Sequence, residues 1–168
     1  MSSLLVLGGA RSGKSHYAQH RAEALPGALV YLATAQAFDE EMRERIALHR
    51  GERGPRWSTV EAPLELAKAI SAFSWPDTVV LVDCLTLWAS NLLLAEQDVE
   101  AATQALIRAV AMAGGPVILV ANEVGLGIVP DNALARRFRD IAGRMNQALA
   151  QAADGVVFVA AGLPLALK

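Results

Sequence analysis

Five short apolar runs recur along the chain, at 4–7 (LLVL), 28–33 (ALVYLA), 78–83 (TVVLVD), 116–121 (PVILVA) and 155–160 (GVVFVA). None alternates strictly between apolar and polar residues, as a strand with one wet face would. Such runs suit strands buried on both faces of a parallel sheet, and the segments between them look helical. The alternation predicts a three-layer α/β architecture, with helices covering a mostly parallel sheet. No internal repeat, low-complexity tract or proline-rich linker interrupts it, so one domain over 1–168 is expected.

The first run leads into Gly8, four further residues, and then Gly13-Lys14-Ser15. This is the spacing of a phosphate-binding P-loop. Glycines let the backbone wrap close to phosphates, and the following helix points its first amides at them. Lys14 neutralises charge on the β- and γ-phosphates, while Ser15 can ligate magnesium. An apolar run before the motif and a helical stretch ending near EALPG (23–27) supply the required context. Sheet and motif together predict a P-loop NTPase-type (RecA-like) three-layer fold with a mostly parallel central sheet.

In open α/β sheets, ligands gather beyond the carboxyl ends of the strands. That rule nominates Ala33, Thr34 and Ala35 after the second run, Asp83 after the third, and Asn122 and Glu123 after the fourth. Asp83 has the position of an acid that holds magnesium directly or through water, with a plain helix N-cap as the alternative. Glu123 can organise water, contact an acceptor or bind loop amides. Gly125 and Gly127 beyond it mark a loop that bends or moves.

Composition narrows the partner. A chain of 168 residues, 54% hydrophobic and 19% charged, suits a compact soluble domain. Its net charge of -2 argues against a nucleic-acid groove or an acidic-membrane surface and favours a small molecule. No segment reaches the roughly 18 apolar residues of a membrane helix, and the N-terminus runs into the P-loop rather than a cleavable signal, so a cytoplasmic location is expected. Cys84 is the only cysteine, which excludes an internal disulfide and reads as a packed thiol. His16 and His20 lie four apart without the glutamate and third ligand of a metal motif, and read as solvated or packing side chains.

A third histidine has two readings. Phe38, Met42 and Ile46 recur at helical spacing, and His49 falls near the last turn, where it would favour the helix C-terminus electrostatically. Beyond it come Arg50, Arg53 and Arg56 with two glycines, more than a helix end needs and useful beside a triphosphate. A neutral imidazole, with an unperturbed pKa of about 6.5, is also a competent nucleophile at phosphorus. Further along, the helical stretch DNALARRFRDIAGRMNQALAQAAD carries Arg136, Arg137 and Arg139, which suit either a solvated basic face or contact with substrate phosphate or a neighbouring subunit.

GGARSGKS, RIALHRGERGPRWSTVE, DCLTLWASNLL, NEVGLGIVP and RRFRDIAGRMNQALAQAAD occur in that order. Together they resemble the bifunctional adenosylcobinamide kinase/adenosylcobinamide-phosphate guanylyltransferases of cobalamin biosynthesis, over nearly the whole chain. The resemblance implies a magnesium-dependent enzyme that phosphorylates adenosylcobinamide with ATP or GTP, then transfers GMP from GTP to that phosphate. The products are adenosylcobinamide-GDP and pyrophosphate.

It further implies a guanylylated histidine at His49, with Lys14 as the second catalytic residue, and magnesium held by Ser15 and Asp83. Nucleotide contacts are implied at Gly8, Gly9, Ala10, Arg11, Ser12, Gly13, Lys14 and Ser15, at Ala33, Thr34 and Ala35, at Arg50, Gly51, Glu52 and Arg53, and at Glu61 and Asp83. Asp83 stands where other members can carry glutamate, one methylene longer. The resemblance also implies a propeller-like homotrimer. Two other functions compete: a P-loop kinase for another small alcohol or nucleoside, and a non-catalytic nucleotide-dependent switch.

Overall fold

The computed structural model describes residues 2–35 and 54–168. In chain order its elements are β1 (Ser3–Gly8), α1 (Lys14–Glu23), β2 (Ala28–Ala33), β3 (Trp57–Glu61), α2 (Leu66–Phe73), β4 (Thr78–Asp83), α3 (Leu85–Leu94), α4 (Val99–Ala111), β5 (Val117–Asn122), α5 (Ala133–Ala152), β6 (Gly155–Ala160) and β7 (Leu163–Ala166). The strands form one seven-stranded sheet in the order β3-β2-β4-β5-β1-β6-β7. All pairings are parallel except β6 with β7.

The non-alternating runs are buried on both sides, as their pattern requires. Leu5, Leu7, Val30, Leu32, Val80, Val82 and Leu119 pack with residues of α2, α3, α4 and α5. Leu4, Val6, Leu29, Val79, Leu81, Ile118 and Val120 pack on the other face with Ala18 and Ala22 of α1. Each fully buried aliphatic side chain contributes about 1.5–3 kcal/mol, so the central strands are the firmest part of the molecule.

All five expected strands are present. The fourth is shifted by one residue, Val117–Asn122 instead of 116–121. Pro116 has no N–H to give to the ladder, although its carbonyl accepts from the Val80 amide at 2.9 Å. The two remaining strands lie at the edges. In β3 no residue is fully buried, unlike the inner strands, and in β7 all four residues are exposed. Pro164 is tolerated in β7 because an edge strand need not donate on both sides.

The strand order sets the spacing of the functional groups. β5 separates β1, which leads to the P-loop, from β4, which ends in Asp83. Asp83 pairs in register with Val120, so β5 runs two residues further before ending at Asn122, the partner of Gly8.

Candidate nucleotide site

The P-loop wraps from Gly8 to the start of α1 under several backbone constraints. Arg11 and Gly13 have positive φ, 53° and 91°, on either side of Ser12. Backbone turned in this way aims successive amides into a concavity that suits an anion. Gly8 has no room for a side chain: a Cβ there would lie 2.6 Å from the Val159 carbonyl oxygen and 2.5 Å from Ser12 Oγ. The Gly8 carbonyl accepts from the Glu123 amide at 3.0 Å, joining the loop to the end of β5.

Lys14 opens α1 and is largely buried, with its Nζ donating to the Gly9 carbonyl at 3.1 Å. The ammonium is therefore folded over the loop it serves. Ser15, the next residue, is exposed. Ser12 Oγ is buried with no hydrogen-bond partner among the described residues.

The hairpin between β6 and β7 braces the same loop from outside. Ala161 and Gly162 turn the chain with φ of 50° and 80°, and the Gly162 amide donates to the Ser12 carbonyl at 2.8 Å. A Cβ on Gly13 would meet Gly162 Cα at 3.2 Å. Neither this hairpin nor its contact is signalled by the apolar pattern. The AAGLP stretch carries only one glycine, and alanine is rarely left-handed.

The other half of the site is assembled by strand register. Glu61 ends β3 beside Ala33, which ends β2 beside Asp83, which ends β4. Register neighbours in a parallel sheet share a face, so the two carboxylate residues flank Ala33 at the sheet's carboxyl edge. Glu61 is exposed and Asp83 half-buried. Ala33 and Thr34 are buried, Thr34 completely, and Ala35 half-buried. Cys84, joined to Asp83 by a cis peptide bond, is the N-cap residue of α3. Burial, reinforced by the Asp83 charge, pushes its thiol pKa up, which suits packing rather than nucleophilic attack.

Of the expected nucleotide residues, His49, Arg50, Gly51, Glu52 and Arg53 lie outside the described residues. Arg56 is described, and its guanidinium lies away from the P-loop, at the other end of α1. Its guanidinium donates to the carbonyls of Glu23, Leu25 and Gly27 at 2.6–3.1 Å. Those carbonyls lie at and just beyond the far end of α1, a helix of 10 residues and therefore about 15 Å long. The orphan carbonyls of a helix C-terminus attract a cation, which explains the placement.

Beyond β5, Glu123 binds a loop amide, one of the three roles its position allows: its Oε1 accepts from the Gly125 N–H. Arg139 donates to the Gly125 carbonyl at 2.6 Å and Arg136 to the carbonyls of Pro130 and Asp131 at 2.9 and 2.7 Å. Of the arginines at 136, 137 and 139, the first and last thus brace the loop, and Arg137 is exposed. His16 and His20 stack edge to face with ring centroids 4.5 Å apart on the solvent side of α1.

Among the described residues no group of three or more His, Cys, Asp or Glu is arranged to hold a metal ion. Magnesium does not need one: it is held through one or two protein oxygens, with waters and substrate phosphates completing the shell. The Ser15 hydroxyl and Asp83 carboxylate, hard oxygen donors at the same edge of the sheet, fit that requirement.

A phosphate-cradling loop on a β-α turn, a buried lysine over it and an acid one strand removed define a P-loop nucleotide-binding protein. Solved structures agree at the level of fold. The assembled type III secretion ATPase EscN of enteropathogenic Escherichia coli matches with a TM-score of 0.61 at 11% identity, covering 95% of this chain and 43% of that one.

Sequence comparison is more specific. A model of the cobinamide kinase / cobinamide phosphate guanyltransferase family matches residues 4–167, and the chain belongs to that family. It is 47% identical to the bifunctional adenosylcobalamin biosynthesis protein CobP of Pseudomonas aeruginosa, over 98% of this chain and 96% of that protein. It is 43% identical to the bifunctional adenosylcobalamin biosynthesis protein CobU of Salmonella typhimurium, over 98% and 99% of the two chains.

Proposed function

We propose that this chain is a bifunctional adenosylcobinamide kinase and adenosylcobinamide-phosphate guanylyltransferase. The observation that carries the reading is the intact P-loop cradle with Lys14 folded over it, in a chain matched along almost its whole length by that family. Membership in an enzyme family leaves the switch reading without support.

In the kinase step the hydroxyl of adenosylcobinamide attacks the γ-phosphorus of ATP or GTP, loses its proton, and the nucleoside diphosphate leaves. The loop amides and Lys14 hold the β- and γ-phosphates in place and stabilise charge on the leaving oxygen. In the second reaction a His49 ring nitrogen attacks the α-phosphorus of GTP and pyrophosphate leaves, forming a phosphorus–nitrogen bond. A phosphate oxygen of adenosylcobinamide phosphate then attacks that phosphorus, freeing His49 and giving adenosylcobinamide-GDP. One cradle serves both reactions because the attacking group changes and the phosphate-binding backbone does not.

Ser15 and Asp83 would hold magnesium, which when bound would supply additional charge neutralisation on the phosphates. Glu61 at the end of β3 and residues 50–53 complete the nucleotide contacts. The chain acts as one domain over 1–168 and assembles as a homotrimer in the cytoplasm. Association is supported by the edge strand β7 and the residue after it, which expose Leu163, Leu165 and Leu167. No helix among the described residues is long and apolar enough to cross a membrane.

The test is product analysis with adenosylcobinamide, magnesium and either ATP alone or ATP with GTP. The phosphate ester is expected in the first mixture, and the GDP derivative with pyrophosphate in the second. Phosphorylation of a different alcohol, with no corrinoid product, would favour the other-substrate kinase instead.

A further inference from the structure

Thr34 is expected among the nucleotide contacts, yet its hydroxyl and amide are turned to the β4–α3 junction and its carbonyl to Asn91 of α3. Its side chain is fully buried. Oγ1 donates to the Cys84 carbonyl at 2.7 Å and accepts from the Cys84 amide at 2.8 Å. A hydroxyl has one proton to give, so its donor capacity is taken. The Thr34 amide points to the Asp83 carbonyl at 3.5 Å, and the Thr34 carbonyl accepts from Asn91 Nδ2 at 2.8 Å. Asn91 also donates to the Pro63 carbonyl at 3.0 Å, tying the segment after β3 to the same helix.

Thr34 thus holds both polar main-chain atoms of the residue that follows Asp83, while its own amide and carbonyl are tied to Asp83 and α3. We propose that Thr34 is a positioning residue for Asp83, a clamp that fixes the direction of that carboxylate, rather than a contact of the nucleotide. Replacing the hydroxyl by a methyl leaves the buried Cys84 amide without its partner and the Cys84 carbonyl with the Trp88 amide alone, at 3.2 Å, so the junction must shift to satisfy the amide. A small displacement of a carboxylate is enough to weaken a bound cation, because supporting groups commonly matter about tenfold or more in metal affinity. The inference rests on the reading of Asp83 as a magnesium residue.

The experiment titrates a fluorescent GTP analogue against the full chain at graded Mg2+ and in EDTA, for the wild type, Thr34→Val, Thr34→Ser and Asp83→Asn. Thr34→Val is expected to raise the Mg2+ concentration at half-saturation about tenfold, to leave affinity in EDTA unchanged, and to be rescued by Thr34→Ser. Asp83→Asn separates the two levels. If it leaves the Mg2+ requirement unchanged, the metal reading of Asp83 fails, and the clamp with it. If it raises the requirement and Thr34→Val does not, the clamp alone is overturned. An equal loss of affinity in EDTA for Thr34→Val makes Thr34 a nucleotide contact after all. Should Thr34→Val not fold, Thr34→Ala against Thr34→Ser carries the comparison: a raised requirement in Ala alone supports the clamp, and equal requirements overturn it.

Discussion

The two halves of the candidate nucleotide site are built in opposite ways. The P-loop half is eight consecutive residues, Gly8 to Ser15, whose geometry follows from two adjoining elements and a few glycines. The acid half is gathered from three strands, where Glu61, Ala33 and Asp83 meet only because β3, β2 and β4 pair in one register. A contiguous loop is specified locally; a register-built cluster depends on every packing contact that keeps its strands aligned. Damage to the first should remove phosphate binding outright, whereas damage to the second should show first as an altered need for magnesium.

The largest effect is expected at Lys14. Lys14→Ala should reduce both γ-phosphate transfer and guanylyl transfer by about 10²–10³, since a preorganised charge on the reacting phosphates is lost. Parallel assays of the two reactions check this, and full guanylyl transfer by a folded Lys14→Ala protein would break the shared cradle. Gly8→Ala comes next. Its Cβ would press on the Val159 carbonyl oxygen at 2.6 Å, so a loss of stability of about 1–3 kcal/mol is expected, with weakened nucleotide binding. Thermal denaturation and GTP titration measure the two parts.

A smaller change sharpens how local the P-loop half is. Gly162 has φ of 80°, and a Cβ added to it would meet nothing within 4 Å, so Gly162→Ala carries only the left-handed backbone cost of about 1–2 kcal/mol. Its amide bond to Ser12 predicts that this cost appears in nucleotide affinity as well as in Tm. An unchanged affinity would mean that the loop holds its shape without the hairpin.

The smallest effect serves as a control at the opposite end of the sheet. Asp154 accepts from the amides of Ser2 and Ser3 and the Ser2 hydroxyl at 2.6–3.0 Å, which lowers its pKa to about 2. A pKa depressed in the folded state stabilises above the ordinary carboxylate range, near pH ~4, and that contribution is lost as pH falls from about 4 towards 2. Asp154→Asn should therefore lower Tm slightly at neutral pH, with the gap to wild type closing on acidification and no change in GTP affinity.

Legibility in the sequence follows the same division. The inner strands and the P-loop are readable because burial on both faces and phosphate binding each impose a contiguous pattern. β3 and β7 are not, since edge strands escape the double burial that makes an apolar run. Strand-end logic places Asp83 and Thr34 at the sheet's carboxyl edge, where the fold has them, but not the direction of the Thr34 hydroxyl, which depends on Cys84, 50 residues away in sequence. Arg56 misleads for a similar reason: its positive charge suits a phosphate or a helix C-terminus equally, and only the fold decides between them.

The central claim is that one phosphate cradle serves two reactions, with His49 attacking only in the second. The most direct measurement incubates the protein and magnesium with α-labelled or γ-labelled GTP, denatures it, and asks which label stays on the chain. Acid-labile α-label alone, absent from His49→Ala, is the predicted result. Wild-type protein that binds GTP yet retains no label, or a His49→Ala protein labelled as fully as the wild type, would contradict the account.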